Sequence, residues 1–285
     1  MSSAAKARAA PFDPHAVEVR AAATVMIVAD RPGLEVLMLE RNANMVFAGG
    51  MWVFPGGAVD PGEADEFEAF CDGLNDRAAS AILGVEAGGL AYWVAAIREN
   101  FEETGLLLGR RYDGSPLHGV DLSADRAALN ERQCTFLDVV KRHQLRLDTS
   151  AVHYVAHWIT PLGSPRRFSA RFFITSAPKA QDVIHDDNET VGWAWVTPAQ
   201  ALARCERKQW VMMTPTVGML RCLVGFNCAA AVLAAARAGL PDEQVRVRYS
   251  NAEKTDYTIV LPGEPGYENG DTERENGWIR LRPPG

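Results

Sequence analysis

The stretch Arg98-Glu-Asn-Phe-Glu-Glu-Thr-Gly-Leu106, which follows Gly57-Ala-Val-Asp-Pro-Gly-Glu63 after a gap, is the part of the sequence that decides the fold. Glu99, Glu102 and Glu103 stand at positions i, i+3 and i+4, so on a helix their side chains project from one face. Like charges at this spacing destabilise an isolated helix, and a bound cation is the natural reason for them. Oxygen ligands select a hard ion such as Mg²⁺ or Mn²⁺, which usually binds substrate phosphates as well.

Together the two stretches resemble the Nudix box, G-x5-E-x7-R-E-U-x-E-E-x-G-U, in which U is a bulky apolar residue. Residues 57 to 63 match its first half and residues 98 to 106 its second, except that Asn100 stands where an apolar residue is expected. The larger departure is the gap, because 34 residues, 64 to 97, separate the halves where the motif has seven, which is 27 more. We expect residues from about 64 to 90 to form an inserted loop, with room for one helix, that leaves the two halves together in space.

A box interrupted in this way resembles the peroxisomal-type coenzyme A diphosphatase branch of the Nudix hydrolases. Three other stretches also resemble that branch: Val53-Phe-Pro-Gly-Gly-Ala-Val-Asp60, His157-Trp-Ile-Thr-Pro161 and Arg167-Phe-Ser-Ala-Arg-Phe-Phe173. The resemblance covers roughly residues 20 to 240 and implies a hydrolase, dependent on Mg²⁺ or Mn²⁺, that cleaves a diphosphate linkage in a nucleoside diphosphate derivative. Coenzyme A or acyl-coenzyme A is the implied substrate. An ADP-ribose or nucleotide-sugar pyrophosphatase and a catalytically silent nucleotide-binding module are the alternatives.

The resemblance also implies roles for the residues of the box. Glu102 and Glu103 are the implied metal ligands, and the backbone carbonyl of Gly56 joins them, since glycine lets the chain approach an ion closely. Glu99 is either a further ligand or the group that activates the attacking water. Arg98 is a catalytic-site residue that orients Glu99 and does not touch substrate.

Further residues are implied outside the acidic trio. Glu63 and Gly57 are expected to give structural support, Glu63 by pairing with Arg98 across the insertion. Glu189 matches an acid that many Nudix proteins place before a tryptophan-bearing strand, and is either a catalytic base, a metal ligand or an ordinary solvated loop acid. Candidates to bind substrate phosphate are the arginines Arg41, Arg167 and Arg171, each of which is about as well explained by a structural role.

The bulk properties narrow the class of protein. At 285 residues with 47% apolar residues, the chain can bury a sizeable core, and its formal charge of −7 argues against nucleic-acid binding. No apolar run is long enough for a membrane span, so no membrane association is expected. The five cysteines form no C-x-x-C pair, which is typical of reduced thiols in a cytoplasmic protein. The expected partner is a small-molecule nucleotide substrate, and a homodimer is left open.

Mixed strands and few helices predict an α+β fold, which the resemblance sharpens to an α/β/α sandwich around a mixed sheet. We expect a disordered N-terminal tail at residues 1–19, the hydrolase domain at 20–240 and a C-terminal extension at 241–285, with a hairpin over 245–261. Ser123 predicts a helix that runs to about residue 143, and Thr214-Pro215 predicts a long helix that ends near Gly239.

Overall fold

The computed structural model describes residues 13–45, 48–117, 119–179, 181–184, 189–254, 256–274 and 277–282. Of the predicted N-terminal tail, residues 1–12 lie outside these ranges, and a 3-10 turn at Pro14–Ala16 leads into the first strand. Within the described ranges the strands are β1 (Val19–Arg31), β2 (Gly33–Arg41), β3 (Trp52–Val53), β4 (Gly56–Ala58), β5 (Cys71–Asp72), β6 (Gly109–Arg111), β7 (Leu145–Asp148), β8 (His153–Ile159), β9 (Arg167–Ser176), β10 (Thr190–Val196), β11 (Glu243–Gln244), β12 (Arg246–Tyr249), β13 (Tyr257–Val260) and β14 (Gly277–Ile279).

The α-helices of the same ranges alternate with these strands. They are α1 (Glu63–Phe67), α2 (Asp76–Leu83), α3 (Leu90–Thr104), α4 (Ser123–Asn130), α5 (Phe136–Arg142), α6 (Pro198–Glu206), α7 (Thr214–Leu223) and α8 (Ala229–Ala238). No helix among the described residues has both the length and the apolar character needed to cross a bilayer.

The central sheet is mixed and has the strand order β10-β2-β1-β9-β8-β14-β11. Strands β1 and β9 run parallel over their whole paired length, and the other neighbours in this order pair antiparallel. Strand β4 pairs with the first half of β1, which brings Gly57 beside Ala23. This pairing places the glycine loop of the box at the sheet, directly under the helix that carries its acidic half.

Helices cover both faces of the sheet, because β1 and β2 are apolar on both sides. Val25 and Ile27 face the layer that contains α3, and they pack in one core with Trp93, Ile97 and Phe101. Their neighbours Met26 and Val28 point the opposite way and pack with α7 and α8 through Met219, Leu220 and Val232. Successive side chains of a strand alternate between faces, so an uninterrupted apolar run requires burial on both. The predicted α+β sandwich is confirmed.

The segment inserted between the two halves of the box holds more structure than the expected loop. It forms α1, β5 and α2, and strand β5 joins β6 and β7 in a small sheet. Asn75 caps α2 by accepting the Ala78 N–H, and Gly84 ends it in the left-handed conformation with φ 66°. Because Phe67 and Leu83 are buried in the same core as α3, the insertion is part of the folded domain.

Two of the predicted long helices are each broken into two. The first ends at Asn130, and Thr135 starts α5 through a capping box with Asp138. The second ends at Leu223, and Asp30 of β1 accepts the Ala229 N–H at the start of α8, 2.7 Å away. A side chain from a distant strand therefore supplies the cap that begins the second half.

The C-terminal extension completes the central sheet. Its predicted hairpin is present as β12 and β13, paired from Arg246↔Val260 to Tyr249↔Tyr257. Strand β14 pairs with β8 and extends the central sheet, followed by β11. The sheet is thus continuous across residue 240, the predicted end of the hydrolase domain.

Candidate functional site

Helix α3 presents the acidic residues because its opposite face is apolar and buried. Val94, Ile97 and Phe101 are 0–1% exposed and fix the helix on the sheet. The helix ends at Gly105, which has φ 74° and donates its N–H to the Phe101 carbonyl. Glycine adopts this left-handed conformation at low cost, so the position of Gly105 sets the end of the helix.

Asn100 is fully buried at a position where the box calls for an apolar residue. Its Nδ2 donates to the Leu106 carbonyl at 2.5 Å, and its Oδ1 accepts from the Thr104 hydroxyl at 3.2 Å. The last carbonyls of a helix lack hydrogen-bond donors within the helix, and so does a carbonyl just beyond its end, such as that of Leu106. The amide of Asn100 therefore closes the end of α3, and its polar partners come from the box itself and not from the insertion.

Arg98 joins the two halves of the box. Its Nε lies 2.5 Å from Glu63 Oε1, and its Nη1 lies 2.6 Å from Glu99 Oε1 and 3.5 Å from Glu102 Oε1. Its Nη2 also donates to the Ala58 carbonyl at 2.9 Å. The predicted pairing of Glu63 with Arg98 is therefore confirmed, although 35 positions of sequence separate them.

The glycine loop packs directly against the acidic helix. The Gly56 N–H donates to Glu103 Oε2 at 3.0 Å. A Cβ built on Gly57 would lie 2.3 Å from the carboxyl carbon of Glu99, and one built on Gly56 would lie 2.3 Å from the Ala23 carbonyl oxygen. Glycine at position 57 therefore leaves space for the Glu99 carboxylate, and glycine at position 56 leaves space for the backbone of β1.

Arg41 extends the cluster to the opposite side. Its Nη1 lies 3.4 Å from Glu103 Oε1, and its Nη2 lies 3.5 Å from Glu189 Oε2. The Asn42 N–H also donates to the Glu189 carbonyl at 2.8 Å, which fixes the backbone of Glu189 beside the end of β2. The structure therefore brings Arg41 and Glu189 to the carboxylates of α3.

The electrostatics of the cluster favour a cation. Burial and, second to it, the neighbouring Glu99 carboxylate together raise the pKa of Glu102 to about 7, against the opposing effect of Arg98. Burial, with Glu99 second, raises the pKa of Glu103 well above its ordinary value, and burial raises the pKa of Glu63 as well. Burial lowers the pKa of Arg98, but Glu99, Glu63 and Glu102 together raise it above its ordinary value. Carboxylates outnumber guanidinium groups here, so added positive charge would stabilise the ionised acids.

The donor set fits a hard divalent ion. Every candidate ligand is an oxygen atom, and the space above Gly57 that a Cβ would fill holds the Glu99 carboxylate. Across the part of the chain that the structure describes, no three Asp, Glu, His or Cys side chains already converge as an ion-binding group. Arg98 and Arg41 contact the carboxylates instead.

The two remaining predicted residues lie apart from these contacts. Arg171 is 8% exposed and donates to the Leu83 carbonyl of the insertion at 2.9 Å and to the Tyr154 hydroxyl at 3.4 Å. Arg167 donates to the Thr160 carbonyl at 3.1 Å. Both arginines thus contact protein groups outside the acidic cluster, and their predicted contact with substrate phosphate stays a prediction.

Two residues that support the site were missed in the sequence. Arg126 Nε donates to the Glu102 carbonyl at 2.9 Å, and Asn130 Nδ2 donates to the same oxygen at 3.3 Å. A cation at a helix C-terminus is favourable, and these bonds hold the end of α3 that carries the carboxylates. The i, i+4 spacing of the two residues on α4 is visible in the sequence, but nothing local shows which helix they contact.

Comparison with known proteins gives consistent matches. The NUDT19 Nudix domain matches residues 85–223. The acyl-coenzyme A diphosphatase NUDT19 of Gallus gallus is 26% identical over 73% of the chain and 68% of its own length, and that of Homo sapiens is 28% identical over 68% and 61%. The chain thus spans about two thirds of the length of these relatives. The crystal structure of a NUDIX hydrolase from Alicyclobacillus acidocaldarius superposes with a TM-score of 0.66 at 24% identity, over 77% of this chain and 97% of that one, which shows a shared fold.

Proposed function

The chain belongs to the Nudix hydrolase family, and on this premise we propose that it is a divalent-metal-dependent diphosphatase that cleaves coenzyme A or acyl-coenzyme A. The observation that carries the proposal is the contact of Arg98 with Glu63, Glu99 and Glu102, which assembles a complete box across the insertion. The names of the two vertebrate relatives supply the substrate class. The products would be adenosine 3′,5′-bisphosphate and (acyl-)phosphopantetheine.

The chain's own residues divide the work. Glu102, Glu103, Glu99 and the Gly56 carbonyl are the groups that would hold Mg²⁺ or Mn²⁺. When bound, such an ion neutralises charge on the diphosphate oxygens and makes a water nucleophilic at neutral pH. Arg98 positions Glu99 and stays out of contact with substrate.

The proton of the attacking water needs an acceptor, and two carboxylates are candidates. Glu99 is held by Arg98 at 2.6 Å, and Glu189 is held near the cluster by Arg41. Glu99 can fill this role only where it does not serve as a ligand. The side chain of Glu189 is 54% exposed, so it can reach solvent and a substrate-bound water.

The test is hydrolysis of coenzyme A, octanoyl-coenzyme A, dephospho-coenzyme A and ADP-ribose with Mg²⁺ and with Mn²⁺, with products separated and identified by mass. We expect cleavage of the coenzyme A compounds to the two products named above, and none in EDTA. A 3′-phosphate contact with Arg41 would make dephospho-coenzyme A about ten- to a hundredfold poorer, since a charge-assisted bond contributes about 1.5–3 kcal/mol. Exclusive cleavage of ADP-ribose would indicate the rival pyrophosphatase, and no cleavage of any compound would indicate a silent binding module.

Two further expectations from the sequence stay predictions, and the oligomeric state is left open between a monomer and a homodimer. The expectations are a cytoplasmic location and a small-molecule substrate without a nucleic-acid partner. Cell fractionation, a nucleic-acid retention assay and light scattering test these three points separately.

A further inference from the structure

A cleft of about 640 Å³ opens beside the C-terminal end of α3. Its walls are the end of α3, helix α4, Leu117, residues 119–122, and the three residues Gln181, Asp182 and Ile184. Clefts of 300–1,000 Å³ are the usual size for small organic ligands. The cleft is separate from the contacts of Arg98 and Arg41, and nothing in the proposed mechanism uses it.

The cleft is physically joined to the carboxylate cluster through Glu102. Phe101 and Gly105, which line the cleft, flank Glu102 on the same helix. Arg126 and Asn130, which also line it, both donate to the Glu102 carbonyl, at 2.9 and 3.3 Å. One residue therefore places its carboxylate in the cluster and its carbonyl at the wall of the cleft. A substrate whose diphosphate lies on the carboxylates would reach the cleft around the C-terminal end of α3, because Phe101 and Gly105 lie on a different face of that helix from Glu99 and Glu103.

The charge of the lining argues against a phosphorylated occupant. Asp121, Glu131 and Asp182 carry negative charge, and the single basic residue among the described lining residues is Arg126. Arg126 is 8% exposed and is engaged with the Glu102 carbonyl, so little of its charge faces the cleft. A nucleotide with a 3′-phosphate would meet like charges here, whereas an uncharged group would not.

The apolar and amide groups of the lining match an uncharged, amide-containing chain. Val120 is half-buried and Ile184 is 57% exposed, so these two supply most of the apolar surface, while Phe101 and Leu117 are 1% and 6% exposed and add little. The backbone of Ile184 is anchored by its N–H to the Thr104 carbonyl at 2.8 Å, so this apolar side chain is held at the cleft. Asn130 adds an amide that can bond to the amides of a ligand.

We propose that this cleft binds the pantetheine arm, and the first part of the acyl chain, of a coenzyme A substrate. The inference rests on the proposed function and deepens it. The diphosphate would lie on the carboxylates of α3, the nucleotide on the side of Arg41, and the uncharged arm along α4. Selectivity for coenzyme A over other ADP derivatives then comes in part from a site that such derivatives leave empty.

The test fills the cleft at Ala127, an exposed lining residue of α4. Ala127→Trp should raise the inhibition constant of phosphopantetheine at least tenfold and leave that of adenosine 3′,5′-bisphosphate within twofold. The matched control is Ala124→Trp, on the same helix and exposed but outside the lining. Circular dichroism and thermal unfolding should show both variants folded, since neither position is buried.

A second measurement needs no turnover. Saturation-transfer NMR of octanoyl-pantetheine should show contact with the parent protein and with Ala124→Trp, and lose it in Ala127→Trp. Parent-like inhibition constants and NMR contact in Ala127→Trp would overturn the proposal. An inhibition constant that rises only for adenosine 3′,5′-bisphosphate, or equally for both products, would overturn it as well. If the parent cleaves no coenzyme A compound, the proposed function fails, while the NMR result still decides whether the cleft binds the arm.

Discussion

Replacing Gly57 by alanine is expected to disable the site by displacing Glu99. An ideal Cβ at this position lies 2.3 Å from the Glu99 carboxyl carbon and 2.3 and 2.6 Å from its two oxygens. Because carbon atoms in contact are about 3.5 Å apart, the carboxylate must move by about 1 Å. A displacement of about 1 Å at a catalytic group costs about a hundredfold in rate, or about 2.7 kcal/mol. Gly57 has no positive φ, so alanine meets no backbone strain and the fold should persist.

The assay is the turnover number with saturating coenzyme A, together with Mg²⁺ affinity by calorimetry. The control is Gly33→Ala, because a Cβ on Gly33 meets no atom within 4 Å and that residue has no positive φ either. In a Glu99→Ala background the obstructed side chain is gone, so adding Gly57→Ala should change turnover by less than twofold. Parent-like turnover and ion affinity in Gly57→Ala, or full additivity with Glu99→Ala, would refute this reasoning.

Three other substitutions test separate parts of the structure. Glu103→Gln keeps the acceptor for the Gly56 N–H but removes a charge, so ion affinity and turnover should both fall while the urea midpoint stays unchanged. Parent-like turnover at limiting Mg²⁺ would contradict the role of Glu103 as a ligand. Asn100→Leu leaves the Leu106 carbonyl without its donor and should cost about 1–3 kcal/mol in urea unfolding, whereas equal or higher stability would show that the amide is dispensable. Burial and the nearby Arg171 charge lower the pKa of His157 to about 4, below the 6.5 expected when unfolded, so its stabilising effect is present above pH 6.5 and is lost as pH falls toward 4. The parent should therefore lose more stability between pH 7 and 4.5 than His157→Gln, and equal losses would show that His157 does not couple folding to protons.

Local features were predictable from the sequence. The i, i+3, i+4 spacing of Glu99, Glu102 and Glu103 predicted that these acids share one face of a helix, and glycine, the residue type at position 105, commonly ends helices. Such features depend on interactions within about four residues of chain, and the sequence displays those directly. The contact between Glu63 and Arg98 was predictable for a different reason. It follows from the family motif, which pairs these two positions, and not from the spacing of neighbouring residues.

Long-range features were decided by the tertiary structure. Arg41 contacts Glu103 across 62 positions and Glu189 across 148. The contact with Glu189 follows from the pairing of β10 with β2, whose register brings Thr190 opposite Arg41. The same applies to Asp30, which caps α8 from a distant strand, and to the insertion, whose helices fold because the core of α3 buries them.

The sequence by itself thus determined the acidic face of α3, and the hard divalent ion that we expect on that face stays a prediction. The tertiary structure decided that Arg41 contacts those acids, whereas Arg167 and Arg171 contact other protein groups. Arg171 is an example, because the sequence indicates which face of its strand it occupies but not that it donates to the Leu83 carbonyl and the Tyr154 hydroxyl. Side-chain direction follows from local backbone geometry, whereas the group that a side chain contacts depends on how distant elements pack.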